Sequence, residues 1–196
     1  MIYLDWLLTP QRIAIHMPTA TAVAADLHLG YQEARQRSGD AVPLVDSAAQ
    51  LAPLMKALTE NKAQSFVIAG DMFERSFDAE IWRVFQTCVS RSGVRFLGLI
   101  PGNHDRGVDK APSDLPILPE GLAVGSWRVL HGDGPLPTTP IVIGHHHPCV
   151  LRRGRKIPCY LASERCLVLP AYSNDASGAI PDKRWQKFQR LVICEK

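Results

Sequence analysis

Three apolar stretches of this chain each run directly into a polar side chain suited to holding a cation. Thr21–Ala25 ends at Asp26, Ser65–Ala69 ends at Gly70-Asp71, and Val94–Ile100 ends at Pro101-Gly102-Asn103. Segments of helical spacing lie between them. From Pro43 to Leu58 apolar residues recur at Leu44, Ala48, Leu51, Leu54, Met55 and Leu58; from Asp78 to Val89 they recur at Ile81, Trp82, Val84, Phe85 and Val89. Pro53 predicts a kink or a break into two helices in the first segment, and Asp78 reads as the N-cap of the second. Strand, polar residue and helix in alternation imply parallel βαβ units. In such sheets the loops at the carboxyl ends of the strands carry the chemistry. Asp26, Asp71 and Asn103 are therefore expected to converge on one site.

The second half of the chain changes character. Short strands are predicted at Leu122–Val124, Trp127–Leu130, Ile141–Ile143, Pro148–Leu151, Lys156–Leu161 and Cys166–Leu169, with few helical patterns between them. That composition favours antiparallel or mixed pairing. Arg152-Arg153-Gly154-Arg155-Lys156 reads as a hairpin turn with Gly154 at its tip. Pro112–Gly121, rich in proline, reads as a surface loop. A strand is expected at Ile13–Ile15, and Phe188–Cys194 reads as a closing strand.

Histidine sharpens the expectation of one site. Six of the seven histidines, all but His16, fall in four short motifs: Asp26-Leu27-His28, Gly102-Asn103-His104-Asp105, His131-Gly132-Asp133 and Gly144-His145-His146-His147-Pro148. An acidic segment, Gly70-Asp71-Met72-Phe73-Glu74, lies between the first two. Carboxylates, a carboxamide and imidazoles in loops at strand ends are the donor set of a dinuclear metal site. Asp26 and His28, two apart on a loop, can reach one cation. Asp71 has two oxygens and can bridge two. His16, on a strand with no partner motif, is expected to be structural.

Bulk properties exclude several alternatives. A chain of 196 residues with 46% hydrophobic residues suits one domain with a sizeable core, and residues 1–196 are taken as that domain. The net charge of +3 neither requires nor forbids a nucleic-acid partner. Five cysteines (Cys88, Cys149, Cys159, Cys166 and Cys194) form no CxxC pair and are expected to be reduced thiols of a cytoplasmic protein, with Cys149 a small buried hydrophobe. The first residues, Met1–Leu8, lack a basic region and carry Asp5, so no secretory signal is expected. No apolar run approaches the ~20 residues of a membrane span, and no membrane partner is expected.

The five motifs, DxH, GDxxE, GNHD, HG and GHxH in order from residue 26 to 147, resemble the calcineurin-like metallophosphoesterase superfamily. The resemblance implies an α/β fold: a four-layer α/β/β/α sandwich of two mixed sheets flanked by helices. It implies two divalent metal ions, with manganese favoured and iron, zinc, nickel or cobalt as alternatives. Asp26, His28, Asp71 and His147 would hold the first ion, and Asp71, Asn103, His131 and His145 the second. His104 would be catalytic rather than a ligand. Glu74 would pair with it, and Arg75 would contact phosphate. His146 falls at a variable position and reads as a partly exposed spacer. Within the superfamily the chain is most similar to the small prokaryotic DNA-ligase-associated endonuclease group and its archaeal relatives, through Ala25-Asp26-Leu27-His28-Leu29-Gly30 and the tail Leu169-Pro170-Ala171-Tyr172-Ser173, beside which Ser173 and Asn174 could line the site.

The implied reaction is hydrolysis of a phosphodiester, in nucleic acid or a nucleotide, by in-line attack of a metal-bridging hydroxide with His104 as proton donor or phosphate stabiliser. The partner would be a phosphoester, DNA or RNA among the candidates, and a homodimer is compatible with the sequence. Arg152, Arg153, Arg155 and Lys156 fit either a solvated hairpin tip or contacts to a phosphate backbone. Trp82, Trp127 and Trp185 are expected in the packing. A phosphomonoesterase is the second enzymatic reading. A protein-binding scaffold on the same fold, like the retromer subunit of the superfamily, is a third; the intact histidine at position 104 disfavours it.

Overall fold

The computed structural model describes residues 1–193, and the elements run as follows. Strands β1 (Ile2–Tyr3), β2 (Trp6–Leu8), β3 (Ala14–His16) and β4 (Thr21–Ala24) are followed by helices α1 (Tyr31–Arg37) and α2 (Ser47–Glu60). Then come β5 (Ser65–Ala69), α3 (Ala79–Ser92) and β6 (Arg95–Ile100). The second half consists of β7 (Leu122–Val124), β8 (Trp127–Leu130), β9 (Ile141–Ile143), β10 (Cys149–Arg152), β11 (Arg155–Ser163), β12 (Cys166–Val168) and β13 (Gln189–Val192). Cys194, the last residue of the expected closing strand, lies outside the described residues.

The strands form two mixed sheets. In the first, β1 to β6 lie in chain order; β4, β5 and β6 are parallel and the rest antiparallel. Both crossovers step in the same direction across the sheet, and the right-handed rule then puts their helices on the same face. The other face is left for the second sheet. Side-chain alternation follows: Ala22, Ala24, Phe66 and Ile68 pack in the helix layer, while Val23, Ala25, Val67 and Ala69 pack against the second sheet. Burial on both faces is why these strands read as unbroken apolar runs.

The second sheet has the order β10-β11-β12-β9-β8-β7, with β13 also on β11. β9 pairs parallel with both β8 and β12, and the remaining pairs are antiparallel. Its outer face carries Ile141, Ile143, Leu161 and Val168 and is closed by Trp185, which sits on a single 3-10 turn at Lys183–Trp185. The fourth layer of the sandwich is therefore thin.

Several expectations are met and some are corrected. Asp78 caps α3, accepting from the N–H groups of Glu80 at 2.9 Å and Ile81 at 3.1 Å. Trp82, Trp127, Trp185 and Cys149 are buried. His16 is buried as well, packs on Trp6 and bonds Thr19 Oγ1 at 2.9 Å. The four described cysteines are free thiols. In contrast, α2 runs unbroken through Pro53. The hydroxyl of Tyr172 accepts from Leu54 N–H at 3.1 Å and donates to Gln50 C=O at 2.6 Å, bridging the helix where proline disturbs its ladder. Residues 112–121 form the expected surface loop, pinned at its middle. Leu99 N–H donates to Pro116 C=O, Leu118 N–H donates to Leu99 C=O, and Leu115 is buried. Proline lacks a donor but its carbonyl still pairs, so this segment can edge the first sheet beside β6. Strands β1 and β2 and helix α1 had no counterpart in the sequence reading.

Candidate metal centre

Parallel strands end on the same side, and the two sheets bring their parallel ends together. Asp26 follows β4, Asp71 follows β5, Asn103 follows β6, His131 follows β8, and His145 and His147 follow β9. The loops are laced to one another by their backbones: Asp26 N–H donates to Gly70 C=O at 3.0 Å, His28 N–H to Asp71 C=O at 2.9 Å, and Gly144 N–H to His131 C=O at 2.9 Å.

These loops are held in unusual backbone conformations. Among the described residues ten non-glycine residues have positive φ, and Asp26, His28, Asp71, His145 and His147 are five of them. A positive φ is sterically costly for residues with a Cβ, although Asp and His tolerate it better than most. The left-handed turns let successive side chains of a loop fold back over the strand ends. Glycine does the reciprocal job. A Cβ on Gly70, itself at φ +86°, would lie 1.8 Å from His131 Nδ1, and one on Gly102 would lie 2.2 Å from Asp71 Oδ1. Only glycine at these two positions leaves room for the ring and the carboxylate.

Three overlapping donor clusters result among the described residues, the third being His28, Glu74 and His104. The first contains Asp26, His28 and His147, with ligand atoms all within 4.8 Å of one another. Asp26 is fully buried and both its oxygens accept from His145 N–H, at 2.9 and 3.1 Å. His28 Nδ1 donates to Glu74 Oε2 at 2.9 Å, because a carboxylate can only accept. Its Nε2 then presents a lone pair, and that atom is buried with no partner. His147 Nε2 is likewise buried and unpartnered, 3.5 Å from Asp26 Oδ2. Two orphaned imidazole nitrogens beside a buried carboxylate would be costly in a merely structural site. A bound cation satisfies all three.

The second cluster contains Asp71, His131 and His145. His131 Nδ1 donates to Ala69 C=O at 3.1 Å, which fixes its tautomer and turns the Nε2 lone pair inward. That nitrogen faces Asn103 Oδ1 at 3.3 Å, His145 Nδ1 at 3.2 Å and Asp71 Oδ2 at 3.6 Å. Burial, and then the neighbouring His131, hold the His145 ring below the usual histidine range, favouring its neutral form. The cluster therefore gathers acceptors around one point, as a metal site requires. Asp71 Oδ1 is taken by the backbone N–H of His104 at 2.8 Å.

His104 and Glu74 differ from the expected pairing. The Glu74 carboxylate binds His28, not His104. His104 Nδ1 instead donates to the backbone carbonyl of Glu74 at 2.5 Å. Glutamate is long enough to reach back across the loop to His28, which leaves its own carbonyl for His104. The His146 ring packs against both Trp185 and His145, with centroids 5.1 Å from each, and burial pushes it down to about 4.

Asp105 is a further structural part of the site that sequence reading left without a role. It is buried, and it accepts from Phe73 N–H at 3.0 Å and Gly102 N–H at 2.9 Å, tying the Asp71 loop to the Asn103 loop. Burial outweighs these two bonds and raises its pKa to about 6. Its signal was visible as the last letter of the Gly102–Asp105 motif.

The centre opens on two sides. A cavity of about 300 Å³ is lined by Glu74, Arg75, Asn103, His104 and Arg106. On the His147 side, a cavity of about 340 Å³ includes Lys156, Ser173 and Asn174. Lys156 Nζ donates there to Gly178 C=O at 2.6 Å. Arg152, Arg153 and Arg155 are exposed on the β10–β11 hairpin, outside that cavity's wall.

No protein-family model matches the chain. No curated protein matches it. Among solved structures, the crystal structure of Pseudomonas putida nuclease MPE aligns over 96% of this chain and 92% of its own, with a TM-score of 0.78 and 22% sequence identity. This chain shares the fold of that nuclease. Among the described residues, no helix is long and apolar enough to cross a membrane.

Proposed function

We propose that this chain is a dinuclear-metal-dependent phosphoesterase of the calcineurin-like metallophosphoesterase superfamily that hydrolyses phosphodiester bonds in nucleic acid. The observation that carries this reading is the pair of buried, unpartnered Nε2 atoms of His28 and His147 beside Asp26. A fold shared with a nuclease supports the substrate class.

Asp26, His28, Asp71 and His147 would hold one divalent ion, and Asp71, Asn103, His131 and His145 the other; manganese is favoured among ions that accept mixed oxygen and nitrogen ligands. When bound, such ions supply charge neutralisation and an activated water. The chain's own residues do the rest. His104 is oriented by the Glu74 carbonyl, which accepts from Nδ1 in both the neutral and the protonated ring. Nε2 of the protonated ring then donates its proton to the leaving oxygen as the phosphorus–oxygen bond breaks. Arg75, steadied by Ser38 Oγ at 2.9 Å, contacts a phosphate oxygen. Arg152, Arg153 and Arg155 are outer contacts for the backbone of a longer strand.

The test is metal-dependent hydrolysis of an aryl phosphodiester and an aryl phosphomonoester, followed by single-stranded DNA, duplex DNA, RNA and cyclic nucleotides, all with Mn²⁺. Turnover of the diester well above the monoester is expected, with cleavage of at least one nucleic acid. A monoester preference would replace the reading by a phosphomonoesterase. No metal-dependent hydrolysis of either would overturn it.

A further inference from the structure

Two arginines flank His104, and the proposed chemistry at a single phosphorus accounts for only one of them. Arg75 and Arg106 line the same 300 Å³ cavity as Asn103 and His104. Their positions are fixed by backbone pairing: Arg106 N–H donates to His104 C=O at 2.8 Å, Phe77 N–H donates to Arg106 C=O at 2.8 Å, and Ser76 forms a β-bridge with Arg106. Both side chains are exposed, and among the described residues neither guanidinium has a carboxylate within ion-pair distance. The acid in the cavity wall, Glu74, is engaged by His28. An arginine pair left without a counter-anion on a polar cavity wall is a phosphate site by charge and by donor geometry.

The charge count favours more than one phosphate. Two carboxylates, Asp26 and Asp71, would offset two of the four positive charges of two divalent ions in the proposed centre, and one phosphodiester with a bridging hydroxide would offset the other two. The further cation of Arg106 beside it matches a ligand whose anionic groups repeat.

We propose that Arg106, beside the Arg75 that serves the scissile group, forms a subsite for a non-scissile phosphate on the His104 side of the centre, so that the substrate holds at least two consecutive phosphodiesters. This rests on the proposed phosphoesterase reading for the position of the scissile group. The ligand chemistry is that of a polynucleotide backbone, and the subsite reads charge and spacing rather than base identity.

The experiment is direct binding of a fluorescently labelled single-stranded oligonucleotide, followed by anisotropy as KCl is raised, for the parent, Arg106→Gln and Arg106→Lys. For single strands each phosphate contact contributes about 0.7 to the slope of log affinity against log salt. Arg106→Gln is expected to bind roughly tenfold more weakly and to lose about that much slope. Arg106→Lys is expected to keep the slope while losing part of the affinity, because lysine retains the charge but not the fork. A parent Kd and slope in Arg106→Gln would overturn the subsite, as would a parent protein that does not bind the strand. Aryl phosphodiester turnover by the parent, measured separately, tells the two failures apart. Turnover with no Arg106 effect sinks the subsite alone; an Arg106-dependent strand complex with no turnover sinks the proposed reaction and leaves the subsite standing.

Discussion

Glu74 and His28 form a carboxylate–imidazole pair at 2.9 Å, largely shielded from solvent, and that pair leaves His28 Nε2 directed at the centre. Outer partners of this kind typically change metal affinity by 10- to 100-fold. Glu74→Gln keeps an acceptor for Nδ1–H without the charge, whereas Glu74→Ala removes both. Mn²⁺ titration by calorimetry should show a graded loss, moderate for Gln and larger for Ala, confined to one of two ions. Equal affinities for the parent and Glu74→Ala would show that His28 needs no such partner.

His104 packs edge-on against the His28 ring, with centroids 5.0 Å apart, and its Nδ1 is held by a backbone carbonyl. Removing its ring should leave the metal load intact. For His104→Ala we expect elemental analysis to match the parent while aryl phosphodiester turnover falls by roughly 10²- to 10⁴-fold. Asp71→Asn should behave oppositely and lose bound metal, since its carboxylate serves the second cluster and is proposed to be shared. A His104→Ala protein with parent turnover would mean that another group delivers the proton.

Gly70 offers a sharper test of the loop geometry. Alanine there must adopt φ near +86° and would put its Cβ 1.8 Å from His131 Nδ1. The ring is flanked by Ala69 C=O, Asn103 and His145, so it cannot yield without breaking the second cluster. Gly70→Ala should cost well over 1 kcal/mol of stability, in the range of strained backbone plus a lost buried contact. Denaturant unfolding and metal content measured on the same sample should fall together. A stable variant with a full metal load would show that His131 is not placed where the structure has it.

The parts of this site that could be read from sequence are those whose chemistry sits in one short motif after an apolar run. Asp26, Asp71 and Asn103 stood out because β4 and β5 are buried throughout and β6 is buried over its last three residues, so each is an apolar run that leads into a polar residue. Helix α1 was invisible because only Gln32 and Ala34 of its seven residues are buried, and it is tied down by Gln32 reaching Asp175 at 2.7 Å, more than a hundred residues away. The partner of Glu74 was misjudged for a related reason. Motif spacing places Glu74 near His104, but the reach of the glutamate side chain and the left-handed turn at His28 decide which imidazole it meets. The proline-rich segment at 112–121 is the exposed loop its composition suggested, and what composition could not show is that Leu115 and the carbonyl of Pro116 tie it to the sheet.

Tyr172 and Pro53 give the last prediction, one of stability and pH. The Tyr172 hydroxyl both accepts from Leu54 N–H and donates to Gln50 C=O, so Tyr172→Phe strands a backbone donor and an acceptor in a partly buried helix. That should cost about 1–3 kcal/mol by urea unfolding. Pro53→Ala on its own should be mild or stabilising, and the two changes together should be non-additive because they act on the same stretch of helix. The hydroxyl also makes the fold sensitive to alkali. Burial, opposed by the bond from Leu54, raises the Tyr172 pKa to about 12, against an ordinary value of 10.0. A raised folded-state pKa means the unfolded chain loses this proton first. The stabilisation is therefore fully present below pH 10 and is lost as pH climbs toward about 12. Unfolding midpoints measured between pH 9 and pH 12 should fall more steeply for the parent than for Tyr172→Phe. Parallel curves would mean that the hydroxyl ionises freely in the folded protein and does not bridge the helix at Pro53.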